Sequence, residues 1–119
     1  MKPEKPTSRE RIEHILEAVQ YIQSFTEGYS KDNFEEDVKV YYACLYQYAV
    51  IGEAIVNIDH KILQKYTYPW YKVRSFRDFI MHEYHAIDAR VVWDTTRLVL
   101  PGFKEIMEQI LKKEFNNPK

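Results

Sequence analysis

RSFRDFIMHEYHAID, residues 74–88, is the stretch on which the reading of this chain turns. At about 100° per residue on a helical wheel, Val73, Phe76, Phe79, Ile80, Ala86 and Ile87 share one half. Arg74, Arg77, Asp78, Met81, His82, Tyr84, His85 and Asp88 share the other, and Glu83 alone falls among the apolar residues. The pattern predicts one amphipathic helix from about Trp70 to about Ile87. Its polar half is unusual in kind. Solvated faces favour Lys and Glu, which are good helix formers. This one carries Arg, His, Tyr and Asp and no Lys between Val73 and Asp88. Such residue types suit binding geometry. The face is read as solvated surface, as a metal site, or as a site that handles phosphate.

Helical periodicity extends in both directions from this segment. Thr7 and Glu10 have capping-box spacing, and Ile12, Ile15, Leu16, Val19 and Ile22 then form an apolar stripe that stops near Gly28. Asn33 and Glu36 repeat the capping spacing before a long helix. Its stripe runs through Val38, Tyr41, Tyr42, Leu45, Tyr48, Ala49, Gly52, Ile55 and Val56. Gly52, inside that helix, costs about 1 kcal/mol relative to Ala, so a close helix–helix approach is expected there. Residues 57–69 read as a connection with a short helical piece at Ile62 and Leu63. Asp88 is placed to cap the next helix, which carries Val91, Val92, Leu98 and Leu100, and Pro101 kinks or restarts it. Ile106, Ile110 and Leu111 continue the apolar face, Lys112 and Lys113 suit a helix C-terminus, and the tail FNNPK is expected to fray. No β alternation or repeat is visible. The expected fold is an all-α, up-down bundle of four to five helices, with residues 1–119 as one domain.

Composition narrows the function classes. The chain has 119 residues, 45% of them apolar and 29% charged, which suits a globular domain with one modest core. No apolar run reaches the ~18 residues of a membrane span. The segment MKPEKPTSRE has no apolar stretch behind its lysines, so it does not read as a secretory signal. Cys44 stands alone, which fits a reducing, cytoplasmic setting. With three glycines and no glycine-rich phosphate loop, nucleotide binding of the P-loop or dinucleotide kind is excluded. Seventeen basic residues against eighteen acidic ones give a net charge of −1, so nucleic acid would be met through a local patch.

For a metal, Asp78, His82 and His85 have helical ligand spacing, but three ligands on one helix rarely close a site, and His82-Glu83-Tyr84-His85 lacks the zinc-protease spacing. For phosphate, Arg77 offers a planar fork and His82 a proton carrier near neutrality. RNA contains its own nucleophile in the 2′-hydroxyl, so neither metal nor cofactor is compulsory. Arg77 and His82 diverge by about 140° on one helix, so the chemistry asks for two copies meeting across a two-fold axis.

The segment RDFIMH, Arg77 to His82, resembles the Arg-polar-x-x-x-His signature of HEPN-domain proteins. With Tyr84 it is similar to the HepT-type HEPN ribonuclease toxins, which are encoded beside a minimal nucleotidyltransferase antitoxin. RIEHILEA from Arg11, IGEA from Ile51, Pro69-Trp70, Ile87-Asp88, Val92-Trp93 and Leu100-Pro101 resemble that family in order and spacing. The resemblance implies a HEPN-like bundle that dimerises through the motif helix, and metal-independent cleavage of cellular RNA by the toxin of a toxin–antitoxin pair. It assigns phosphate holding to Arg77 and acid–base or orienting work to His82. Asp78 takes the supporting polar position, where many relatives have Asn. A carboxylate there adds negative charge near the phosphate, or orients His82 from i+4. Tyr84 is the tyrosine to which the antitoxin would transfer AMP, placing a phosphate ester near the Arg77 fork. Arg74 and His85 are further candidate contacts to RNA phosphate. Glu53 is expected to pair with a cation from a neighbouring helix, His14 and His60 read as surface residues, and Trp70 and Trp93 as core or interface aromatics. The alternative function is a non-catalytic RNA- or nucleotide-binding module partnering a nucleotidyltransferase.

Overall fold

The computed structural model describes residues 4–115. Among these residues there is no strand, and helices follow one another as α1 (Ser8–Phe25), α2 (Lys31–Glu36), α3 (Val38–Asn57), α4 (His60–Leu63), α5 (Trp70–Glu83), α6 (Ala89–Asp94) and α7 (Leu100–Phe115). A 3-10 turn, Tyr84–Ala86, follows α5, and a π turn, Thr95–Val99, joins α6 to α7. The fold is all-α, as expected. No helix among the described residues is long and apolar enough to cross a membrane. The expected fraying of FNNPK falls mostly outside the described residues.

Each boundary has a local cause. Thr7 caps α1 in a complete capping box: its side chain accepts from the Glu10 amide at 3.1 Å, and the Glu10 carboxylate accepts from the Thr7 amide at 2.8 Å. Gly28 supplies the one positive φ among the described residues, +79°, in the turn after it. The second long helix starts later than its sequence spacing predicts. Asn33 lies inside α2, its amide bonded to the Ser30 hydroxyl at 3.1 Å, and Asp37 caps α3 by accepting from the Val40 amide at 3.2 Å. Pro101 acts as a restart. It cannot donate a backbone bond, and the π turn just upstream widens the helix, so that helical structure continues from α6 into α7.

Helix α3 is the hub, packed on α1 to one side and α5 to the other, while α1 also packs on α7. Ile12, Ile15, Val19, Ile22, Phe34, Cys44, Ile55, Val92, Met107 and Ile110 are fully buried between them. Inside this core the Tyr48 hydroxyl and the Thr96 hydroxyl share a 2.6 Å hydrogen bond, and Thr96 in turn donates to the Val92 carbonyl at 2.9 Å. Burial pushes the Cys44 thiol up to about 12. Iodoacetamide at neutral pH should therefore leave Cys44 intact in the native chain and modify it once denatured, as intact mass would read. Because the folded thiol holds its proton longer than the unfolded one, this group's contribution to stability is complete below the ordinary thiol range. It is lost as pH rises toward about 12.

Candidate active site

Helix α5 is set in place at its first residue. Pro69 offers no capping side chain. Instead the buried Trp70 indole donates to the carbonyls of Leu63 and Tyr66, at 3.1 and 3.2 Å, and ties the helix start to the end of α4. Beyond that anchor the helix buries only Ile80. Val73 and Phe76 are half-buried against the core, with Phe76 edge-on to Tyr48 at 5.4 Å between ring centroids. Phe79 and Ala86, assigned to the core face by the wheel, are exposed. Helix α5 packs chiefly on α3, so that contact line does not cover all of its apolar half.

That contact line runs through the motif arginine. A Cβ built on Gly52 would lie 2.1 Å from the Arg77 Cβ and 2.6 Å from its Cγ. The close approach expected at Gly52 is thus made by Arg77 itself. The wheel set Arg77 opposite the core. In the fold its stem lies in the α3–α5 seam, and its side chain keeps 27% of its exposure. Its guanidinium donates from Nη1 to Asp78 Oδ1 at 2.8 Å and from Nη2 to Glu53 Oε1. Glu53 has the cation partner its position called for. Its hydrogen bonds to the Asp78 and Glu53 carboxylates hold the Arg77 pKa above the usual arginine value, so the fork is charged throughout the working range of pH. One guanidinium between two carboxylates leaves this cluster with an excess of one negative charge.

The other motif residues sit as follows. Asp78 turns its carboxylate to Arg77. Among the described residues no hydrogen bond links it to His82, so the orienting role at i+4 is not the one it takes here. His82 is exposed near the end of α5. The α-helix stops at Glu83, four residues short of the expected end, because Glu83 leaves helical geometry at φ −133° and ψ 32°. Ile87 then becomes extended, its carbonyl accepting from the Tyr41 hydroxyl at 3.0 Å, and Asp88 caps α6 through the Arg90 amide at 2.9 Å. Tyr84 therefore begins a 3-10 turn, and the wheel angle that set it near Arg77 does not carry across the break. It is 58% exposed and packs edge-on against His85. Arg74 is half-buried, whereas Asp78 and His85 are exposed. Asp78, His82 and His85 do not converge, and no three His, Cys, Asp or Glu side chains gather as metal ligands among the described residues.

The motif constellation is thus an arginine backed by a glycine and braced by a glutamate, with an exposed histidine five residues on. The family model described as "Ribonuclease HepT-like" matches residues 15–110. This chain belongs to the HepT-like ribonuclease family. Over 109 residues it is 30% identical to the "Probable ribonuclease HepT" of Thermococcus cleftensis, covering 91% of this chain and 99% of that one. It is 29% identical over 109 residues to the "Putative RNase TTE0752" of Caldanaerobacter subterraneus subsp. tengcongensis, across 91% and 97% of the two chains. To the "Putative RNase MJ1216" of Methanocaldococcus jannaschii it is 32% identical over 99 residues, across 82% of each. No solved structure matches the chain. For a HepT-like protein the residue that sequence reasoning left without a functional role is Glu53. Its signal was present in the IGEA run, where a glycine next to a carboxylate on an otherwise apolar helix face marks a place at which another helix brings a cation close.

Proposed function

We propose that this chain is a metal-independent endoribonuclease, the toxin of a toxin–antitoxin pair, in which Arg77 grips the RNA phosphate and His82 moves or orients the proton. Family membership supports ribonuclease chemistry, and the placement of Arg77 in the α3–α5 seam is the single observation that carries the site. A guanidinium whose stem is wedged against a backbone has lost little further freedom when it meets a phosphate, so its binding geometry is largely set in advance. Attack by the 2′-oxygen on phosphorus builds charge on the non-bridging oxygens, and a fixed cationic fork stabilises that charge. The proton leaving the 2′-hydroxyl, or reaching the departing 5′-oxygen, requires an exposed imidazole such as His82.

The working unit of this reading is a dimer. Phe79, exposed on α5 three residues before His82, is an apolar side chain left uncovered on the helix that carries the motif. Phe79 and His82 are three residues apart and so share one side of the helix, and an apolar contact with a partner helix there would carry the histidine to it. A second copy on this face would bring both arginines and both histidines around one cleft. Tyr84, on its exposed turn, is the acceptor of AMP from a nucleotidyltransferase antitoxin, and its accessible hydroxyl supports that role. The second reading, a binding module that does not cut, is favoured by the two carboxylates on Arg77, which compete with any phosphate.

The test is incubation of the purified chain with single-stranded RNA in excess EDTA, with sedimentation to read its mass. Cleavage that persists in the chelator, by a species of twice the chain mass, is the expected result. RNA that is bound and left intact would replace the enzyme by the module, and cleavage restored only by added divalent metal would overturn metal independence.

A further inference from the structure

The open groove beside Arg77 has a wall that the motif does not supply. Arg11 and His14, three residues apart on α1, line it together with Tyr46 of α3, Glu53, Arg77 and Met81. Its volume is 520 Å³, within the span of about 300–1,000 Å³ usual for small-ligand sites. Arg11 is half-buried, and among the described residues it makes no ion pair, whereas Arg77 is held by two carboxylates. Between the two arginines the floor is apolar, and Tyr46 stands 67% exposed over it. A cation at each side of a surface that carries an accessible aromatic ring matches a single strand, which presents phosphate, base, phosphate in sequence. His82 does not line this groove, so α1 brings to it a second guanidinium and an imidazole that the motif helix does not supply there.

The geometry points to a second nucleotide subsite, in which Arg11 holds the phosphate next to the one held by Arg77 and the base between them lies on Tyr46. It rests on the reading of this chain as an RNA-acting protein, and it names the groove residues that hold the strand beside the cut. Arg11 makes no bond to the reacting phosphorus. Its removal raises KM and leaves kcat close to wild type, the pattern of lost ground-state binding.

The probe is a short single-stranded RNA methylated on its 2′-oxygens, which binds without being cut, titrated at several salt concentrations. Arg11→Ala is expected to weaken binding about tenfold and to lower the slope of log affinity against log salt by about 0.7, the signature of one lost phosphate contact. Arg11→Lys, which keeps the charge, should retain the slope. Tyr46→Ala should lose about tenfold through stacking, while Tyr46→Phe keeps wild-type affinity. Sedimentation of the same samples separates the causes. Wild-type affinity and slope in Arg11→Ala overturns the subsite, and so does a loss of binding that accompanies loss of the dimer, since Arg11 would then serve the subunit contact. If the wild-type chain binds no RNA at all, the functional reading falls and takes the subsite with it. If it binds and Arg11→Ala equals it, the subsite alone falls.

Discussion

RNA cleavage should fall about 10²–10³-fold in Arg77→Ala, the loss usual when one fixed donor to a developing oxyanion is removed. His82→Ala should fall by at least as much, because general acid–base catalysis contributes typically 10²–10⁴-fold. Helical circular dichroism should stay at wild type in both, since His82 is exposed and the Arg77 head lies at the surface. Arg77→Lys should not recover the activity, because an ammonium cannot form the planar fork. The neighbouring Asp78→Asn should move the other way. It removes one of the two anions on Arg77 and keeps a hydrogen-bonding partner, and an exposed charge is worth up to about 1 kcal/mol, so affinity for RNA should rise up to about fivefold. Full activity in Arg77→Ala would refute the assignment of the fork. Weaker binding in Asp78→Asn would show that the carboxylate supports the arginine more than it competes.

Gly52→Ala should reverse the usual sign of a helical glycine substitution. In an exposed helix the change gains about 1 kcal/mol. Here the new methyl falls 2.1 Å from the Arg77 Cβ and 3.3 Å from its Cα, so α5 must move away from α3 or Arg77 must leave its place. Overpacking of this kind costs about 1–3 kcal/mol, which for a chain of this size lowers the melting temperature by roughly 5–15 °C. Displacement of a catalytic group by about 1 Å can cost a further 10²-fold in rate. Thermal denaturation and the cleavage assay on one preparation measure both. A Gly52→Ala protein as stable and as active as wild type would mean that the seam between the two helices is slack.

How much of this was legible in the chain differs from place to place. Long helices with regular stripes and good caps were readable, and Thr7, Asp88 and Pro101 act as their types require. Gly52 signalled a close approach, and Glu53 a cation partner, because both sit badly on an apolar helix unless something specific meets them. That the same residue, Arg77, meets both is a fact of tertiary packing that no spacing rule contains. The end of the motif helix was misread for a different reason. The periodicity of residues 84–87 still fits a helix, but Asp88 can cap α6 only if the chain first straightens at Ile87, and the capping requirement prevails over the pattern. Asn33 was misread because two acceptors on either side of it, Ser30 and Asp37, each cap a helix of their own. Arg11 and His14 gave no signal, since nothing in a run on α1 reveals what lies across a groove from it.

The motif helix resembles a beam with two supports, the indole tether at Trp70 and the buried Ile80. A beam held in two places deflects less than one clamped at a single end. Arg77 lies between the supports and His82 two residues past the second. Under the proposed reading, the reach from one side chain to the other is therefore fixed by the fold before any strand arrives.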